Sequence, residues 1–195
     1  MSTRNRLLVV LAVSAAALVA PGCAVADPSA DQTAIISADY PAYDSVKSLA
    51  SAADLIVEVS LGESSSEVLL PQYEGDDPAL NPYAGTKETP DPSEGAVPIT
   101  VFEATVLDVY RGDVKTEDVI KVMQPGGLSN GVDYVVEGVT RLQSGATVLL
   151  FLGTYADSPA SVLGGDVGAF IVEGEGFVSI AGDGLVVSKA DLSSY

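Results

Sequence analysis

The pentapeptide Gly127-Leu128-Ser129-Asn130-Gly131 matches G-x-S-x-G, the pattern of a nucleophile elbow. An elbow needs a strand before the serine, a helix after it and a histidine base. Here a Pro-Gly-Gly turn precedes Ser129, no helical pattern follows it, and the chain contains no histidine. The missing histidine also removes serine–histidine triads, histidine acid–base catalysis and the usual zinc sites. We therefore interpret Ser129 as a loop residue.

Carboxylates are the other residues that could carry out chemistry. A pair of them could hydrolyse glycosides, but with 27 Asp and Glu residues any one pair has little specificity. Glu103 and Asp108 share a predicted strand and, being five residues apart, lie on opposite faces unless a bulge intervenes. The chain has no tryptophan platform for a sugar. No S-x-x-K motif offers a serine–lysine dyad either, so we predict no catalytic residue.

Two further motifs are better explained by turns than by ligands. The acidic stretch 74–85, EGDDPALNPYAG, lacks the ligand spacing of an EF-hand. Arg111-Gly112-Asp113 spells an integrin-recognition tripeptide, but it follows a strand that ends at Tyr110, where Gly112 and Asp113 favour a tight turn. We predict neither a metal ion nor a cofactor.

The first 26 residues have the pattern of an export signal. Arg4 and Arg6 precede the apolar run Leu7–Ala20, which is too short to span a bilayer. Two processing events fit the sequence that follows. Cys23, the only cysteine, could carry a lipid after a lipobox-like Gly22, or signal peptidase could cleave after Ala26 in Ala24-Val25-Ala26. Both place the protein outside the cytoplasm, either secreted or lipid-anchored at the outer face of the membrane.

The charge of the chain limits its partners. Loss of Arg4 and Arg6 leaves 7 basic residues against 27 acidic ones, a net charge of −20. Such a domain repels nucleic acid and anionic lipid surfaces. We expect no nucleic-acid partner, membrane contact only through a lipid on Cys23, and an extracellular or envelope protein of unknown identity as partner. We expect a monomer that folds without disulfides.

The elements before residue 98 are varied. Residues 27–40 have no clear period, which predicts a flexible tether. Apolar residues at three- and four-residue spacing predict a helix over 41–53, and alternation over 54–61 predicts a half-buried strand with Glu58 and Ser60 on its polar face. The segment 62–97 is rich in proline and acidic residues, which predicts a long, mobile and disordered acidic loop.

From residue 98 onward the pattern is that of strands separated by glycine-rich turns. We predict strands over 98–110, 118–124, 134–142, 147–152, 167–173, 177–181 and 185–188, with a loop through Pro159. The strand 98–110 is long enough to need a bend or bulge. One helix and no βαβ alternation predict a mainly β protein, a small antiparallel OB-like barrel or sandwich, as a single domain over 41–195.

The order of these segments resembles a group of bacterial exported proteins of unassigned function. The resemblance is carried, in order, by ADLIVEVSL, ITVFEATVLDVYRGD, DVIKVMQPGG, GATVLLFL and VGAFIVEGEG, over about 45–188. The layout is also similar, more distantly, to the netrin-like domain of tissue metalloproteinase inhibitors, which implies an OB-type barrel. Those inhibitors use an N-terminal cysteine within a disulfide framework, and this chain lacks one, so the resemblance implies only the barrel.

These observations lead to three hypotheses of function. The first is a non-catalytic extracytoplasmic binding or structural module, with the acidic 62–97 segment as its contact surface. The second is an inhibitor of an extracellular enzyme, and the third is a carboxylate-based hydrolase.

Overall fold

The computed structural model describes residues 32–71, 73, 75–78, 81–88, 91, 93 and 95–195. The predicted mainly β architecture is confirmed. The strands of this part of the chain are β1 Gln32–Ile36, β2 Leu55–Leu69, β3 Val97–Arg111, β4 Val119–Pro125, β5 Gly127–Ser129, β6 Val132–Val136, β7 Thr147–Tyr155, β8 Ser158–Val162, β9 Ala169–Glu173, β10 Gly176–Ser179 and β11 Val186–Ser188. Its helices are α1 Val46–Ala52 and the single turn α2 Lys189–Leu192, with a 3-10 turn at Gly165–Gly168.

Five strands are joined in a ring that partly closes the main sheet. Going around the ring, β2 pairs with β3, β3 with β4, β4 with β8, β8 with β7, and β7 returns to β2. All these pairs are antiparallel except β4–β8, a short parallel contact through Val122↔Ala160 and Met123↔Ser161. Strands β9, β10 and β11 extend the sheet outward from β7.

The central strands β2 and β7 are buried on both faces. Alternate residues of β2, from Leu55 to Leu61, point into the ring and form a first core with β3, β4 and Val148, Leu150 and Leu152 of β7. Their neighbours Ile56, Leu149 and Phe151 point outward. They form a second core with α1, β9–β11 and α2. The predicted half-buried strand is therefore wrong at Glu58, whose face is covered by the second core and which is 8% exposed.

The long strands stay in register through bulges, as the length of β3 predicts. The β2–β3 pairing shifts between Ile56 and Val57, between Glu58 and Val59, and between Leu61 and Ser64. The first two shifts each place one extra residue in β3, and the third places one extra residue in β2, where Gly62 and Glu63 lie opposite Glu103 alone. Bulges increase local twist, so one pair of strands can serve both the ring and a hairpin that projects beyond it.

Helix α1 begins five residues later than the helix predicted over 41–53. Ser45 is its N-cap, and it forms a capping box with Ser48, in which each side chain bonds the other residue's backbone N–H. Leu49 and Ala50 are fully buried in the second core. The local cap at Ser45 therefore fixes the start of the helix, which the apolar spacing alone placed at residue 41.

Two segments predicted as irregular are strands. The predicted tether 27–40 contains β1, which pairs in parallel with β6 in a small sheet of order β1–β6–β5; residues 27–31 lie outside the described part. The predicted loop through Pro159 contains β8, which completes the ring. Both strands are five residues long, so neither contains enough residues to establish a period before its partner is known.

The acidic segment is shorter than predicted. Strand β2 continues to Leu69 and β3 begins at Val97, which narrows the excursion to residues 70–96. The residues of the excursion that the structure describes form turns, with the rings of Tyr73 and Tyr83 5.1 Å apart. Its mobility remains a prediction. Neither helix in the described part of the chain has the length or the apolarity to cross a bilayer.

Candidate functional site

A groove of about 530 Å3 opens where the β2–β3 hairpin extends beyond the ring. Its floor is apolar, because Phe102 and Leu142 also belong to the first core, inside the ring. Its walls are mostly hydroxyl and amide side chains. The lining residues are Ser64, Ser66, Thr100, Phe102, Gln124, Gly127, Leu128, Arg141, Leu142, Gln143 and Ser144. The volume lies within the ordinary range for a ligand pocket.

The turn Gln124-Pro125-Gly126-Gly127 forms one wall of the groove. Gly126 and Gly127 have φ of 91° and 127°, values that only glycine adopts readily. A Cβ on Gly127 would collide with the Thr100 hydroxyl oxygen. The Thr100 hydroxyl itself donates to the Gly126 carbonyl at 3.0 Å. The two glycines therefore let the chain pass directly over β3 as it leaves the ring for β5.

Gln124 positions the opposite wall. Its side chain is 4% exposed and bonds the segment 137–146 at two points. The Nε2 group donates to the Thr140 carbonyl at 2.7 Å, and the Leu142 N–H donates to Oε1 at 3.0 Å. Arg141, next to these residues, forms an ion pair with Asp133 of β6 and donates to the Tyr134 carbonyl.

The composition of the groove determines what it can do chemically. It contains hydroxyl and amide groups that both donate and accept hydrogen bonds, and its only charged lining residue is Arg141, already paired with Asp133. No lining residue is a carboxylate. The groove can therefore bind uncharged polar groups, including peptide backbone, but it offers no acid–base pair.

Ser129, the candidate nucleophile, lies at the end of β5 and not in a strand–helix turn. The turn that follows it, with Asn130 and Gly131 at positive φ, leads into β6. No helix follows Ser129, so the G-x-S-x-G pattern here is a β-hairpin.

Their spacing of five residues places Glu103 and Asp108 on opposite faces of a regular strand. A bulge between them places both on the same face of β3. The two residues are nonetheless five positions apart along a strand, roughly 17 Å. Carboxylates of glycosidases are about 5–9.5 Å apart. Glu103 lies opposite Lys121, and Asp108 lies opposite Glu58.

Glu58 and Asp108 belong to a cluster of ionisable groups at the edge of the second core. Lys189 Nζ lies 2.6 Å from Glu58 Oε2 and 5.5 Å from the centre of the Phe177 ring. The Tyr110 hydroxyl is buried beside them and makes no hydrogen bond of good geometry with the described residues. Burial first, and then the nearby Asp108 and Glu58 carboxylates, raise the pKa of Tyr110. Tyr110 therefore stays protonated at neutral pH and cannot act as a base.

The raised pKa of Tyr110 predicts a loss of stability in alkaline solution. Above about pH 10, where tyrosine ordinarily ionises, the unfolded chain releases this proton before the folded one, so stability falls as the pH rises. We expect Tyr110→Phe to unfold like the native protein at pH 7 and to lose less stability between pH 10 and 11. Urea unfolding at several pH values measures this. If Tyr155→Phe, at an exposed tyrosine, reduces the alkaline loss equally, the burial of Tyr110 is not its cause.

Arg111 of the Arg-Gly-Asp tripeptide has a structural role. Its guanidinium donates to the carbonyls of Ala50 and Ala53 at the end of α1 and, at 2.7 Å, to that of Tyr195. Gly112 has φ of 108° and continues the chain into the predicted turn. A side chain held in this way is not presented for recognition by a receptor.

The other candidate sites are the acidic stretch 74–85, which forms a turn, and the two processing positions near the N-terminus. In the acidic stretch 74–85, Asn81 donates to the Gly75 carbonyl at 2.8 Å and accepts from the Tyr83 N–H at 3.0 Å, which closes a turn. Cys23 and the cleavage position after Ala26 lie outside the described residues, so lipidation and cleavage both remain predictions.

The groove has no clear signature in the sequence. Its residues come from four separate segments, and serine, threonine and glutamine there look like ordinary surface residues. One signal was present: in Ser64-Ser65-Ser66 the alternation of a strand continues, so two of the serines share a face. Comparison with protein-family models, with curated proteins and with solved structures found no match to this chain.

Proposed function

We propose that this protein is a non-catalytic binding module that acts outside the cytoplasm, with the groove as its binding site. The observation that carries the proposal is the groove itself, an apolar floor with walls of hydroxyl and amide groups and no carboxylate. Ligand sites commonly combine an apolar surface with a few polar groups that fix orientation. The export pattern of residues 1–26 supports the location.

We also infer that the ring of strands is an OB-like barrel. Five strands in a partly open barrel, with one parallel pair between β4 and β8, support this topology. OB barrels bind oligonucleotides or oligosaccharides. The net charge of −18 opposes the first use, because phosphate binding needs Lys and Arg.

The two ends of the acidic excursion 70–96 lie next to the binding surface. It leaves β2 and returns to β3 at the tip of the hairpin whose inner face lines the groove. Loops supported by a rigid scaffold often carry recognition. We propose that the excursion contributes to the choice of partner, and that the groove supplies the contacts.

Filling the groove tests this function. Ser64→Tyr would place a ring between the walls, and we expect it to reduce capture of partners from a cell-envelope extract by about tenfold or more without lowering stability. Ser51→Tyr, on the exposed surface of α1, is the matched control. Equal capture by the native protein and Ser64→Tyr would contradict the proposal, since a binding site cannot tolerate loss of its volume.

A further inference from the structure

The far half of β2 has a free edge. Up to Ser60, β2 has β7 on one side and β3 on the other. Leu61 makes the last bonds on the β7 side, donating to the Ala146 carbonyl at 2.9 Å and accepting from the Gly145 N–H at 2.6 Å. Beyond it, residues 62–69 pair with β3 alone, and no described residue bonds their other edge. A free edge of this length is a template for another strand.

The hydrogen bonds of β3 show which backbone groups face this edge. The Val106 N–H donates at 2.9 Å to the carbonyl of Asp118, just before β4. The Pro98 carbonyl accepts at 2.8 Å from the N–H of Gly126, just after β4. Since the register between them is continuous, even-numbered β3 residues bond β4 and odd-numbered ones bond β2. Val101 and Ile99 lie opposite residues 65 and 67. The N–H and C=O groups directed at the free edge therefore belong to Ser64, Ser66 and Val68.

A strand added here would meet two different surfaces. Its alternate side chains would enter the groove beside Ser64 and Ser66, where they could form hydrogen bonds with the hydroxyl and amide groups of the walls. The side chains between them would lie on the outer face of the sheet, next to Glu63 and Glu67, both exposed. Opposite charges on neighbouring strands of one face attract each other.

We propose that the groove and the β2 edge bind an extended, basic segment of a partner protein by strand addition, with Lys or Arg alternating with small polar residues. This inference rests on the proposed binding function and specifies its ligand. Backbone bonds to the edge supply affinity, and the alternating side chains supply specificity. The excess of acidic residues, net −18, favours a basic partner and disfavours a second copy of this chain.

A peptide of four Lys-Thr repeats, capped at both ends, is the probe, and fluorescence anisotropy measures its binding to the full protein. Ser66→Pro removes the outward N–H without breaking any bond inside the sheet. We expect it to weaken peptide binding by about tenfold or more. Ser66→Ala keeps the N–H and loses only the hydroxyl, so it should change binding by about threefold or less.

Two further comparisons separate strand addition from simple charge attraction. A peptide of the same composition with its lysines and threonines in separate blocks should bind several-fold more weakly. Glu63→Gln with Glu67→Gln should weaken binding, whereas Glu173→Gln with Glu175→Gln, in the exposed β9–β10 hairpin, should not. Equal binding of both peptides, or equal effects of both double variants, would overturn the proposal.

Amide exchange in the native protein gives an independent measurement that does not depend on how Ser66→Pro folds. The peptide should protect the N–H groups of Ser64, Ser66 and Val68, and unchanged exchange at all of them would overturn the inference. A dimer in sedimentation that Ser66→Pro dissociates would identify a second copy as the occupant instead. If Ser64→Tyr abolishes envelope capture while Ser66→Pro leaves peptide binding intact, the groove binds partners but not by strand addition. If Ser64→Tyr leaves capture unchanged and Ser66→Pro leaves peptide binding unchanged, the proposed function fails as well.

Discussion

Replacement of Gln124 by leucine is expected to lower the free energy of unfolding by about 2–4 kcal/mol. Leucine has nearly the same size as glutamine but can neither donate to the Thr140 carbonyl nor accept from the Leu142 N–H. Because Gln124 is 4% exposed, water cannot easily replace the two lost bonds. Urea denaturation followed by far-ultraviolet circular dichroism measures the change.

The matched control for this prediction is Gln143→Leu, at an exposed residue of the same groove. We expect it to change the free energy of unfolding by no more than about 0.5 kcal/mol. The Gln124 variant should also lose envelope capture, since the segment 137–146 would no longer be held against β4. Equal stabilities of the two leucine variants would show that Gln124 does not position this wall.

Replacement of Arg111 by leucine is expected to destabilise the protein by about 2–3 kcal/mol. One guanidinium serves three backbone carbonyls, those of Ala50, Ala53 and Tyr195, and so joins α1 and the segment after α2 to β3. Lysine has a single ammonium group and cannot reach three acceptors in this fork, so Arg111→Lys should recover only part of the loss. Thermal unfolding of the native protein, Arg111→Lys and Arg111→Leu should give midpoint temperatures that fall in that order.

Arg141→Leu is the control for loss of an arginine. Its side chain is 47% exposed and pairs with Asp133 near the surface. Such pairs contribute about 0–1 kcal/mol. If Arg141→Leu destabilises the protein as much as Arg111→Leu, then loss of charge, and not loss of the three carbonyl bonds, explains both.

The elements that sequence predicts well are those whose pattern is local. The run 147–152 is apolar after its first residue, which predicts the most buried strand. Residues 149–152 are in fact fully buried, because β7 is covered on both faces. The long strand 98–110 predicts a bulge from its length alone. In both cases the residues carry the information within their own segment.

The elements that sequence misses depend on distant partners. Strand β8 is defined by β4 and β7, and β1 is defined by β6, about a hundred residues away along the chain. Glu58 looks like the polar side of a half-buried strand because nothing nearby in sequence shows that Lys189 pairs with it. The groove was missed for the same reason, since its walls come from segments that only the completed ring brings together.

Leu69 lies opposite Val97, and this pair limits how strongly the excursion 70–96 can affect the rest of the fold. The excursion 70–96 leaves and re-enters the sheet at one rung of the β2–β3 ladder. The entropy of closing a loop between fixed ends grows only with the logarithm of its length, about 0.6 kcal/mol for each doubling. A change in its length therefore alters the free energy of folding of the ring only slightly, and a longer or shorter segment could be exchanged into this position while the scaffold is retained.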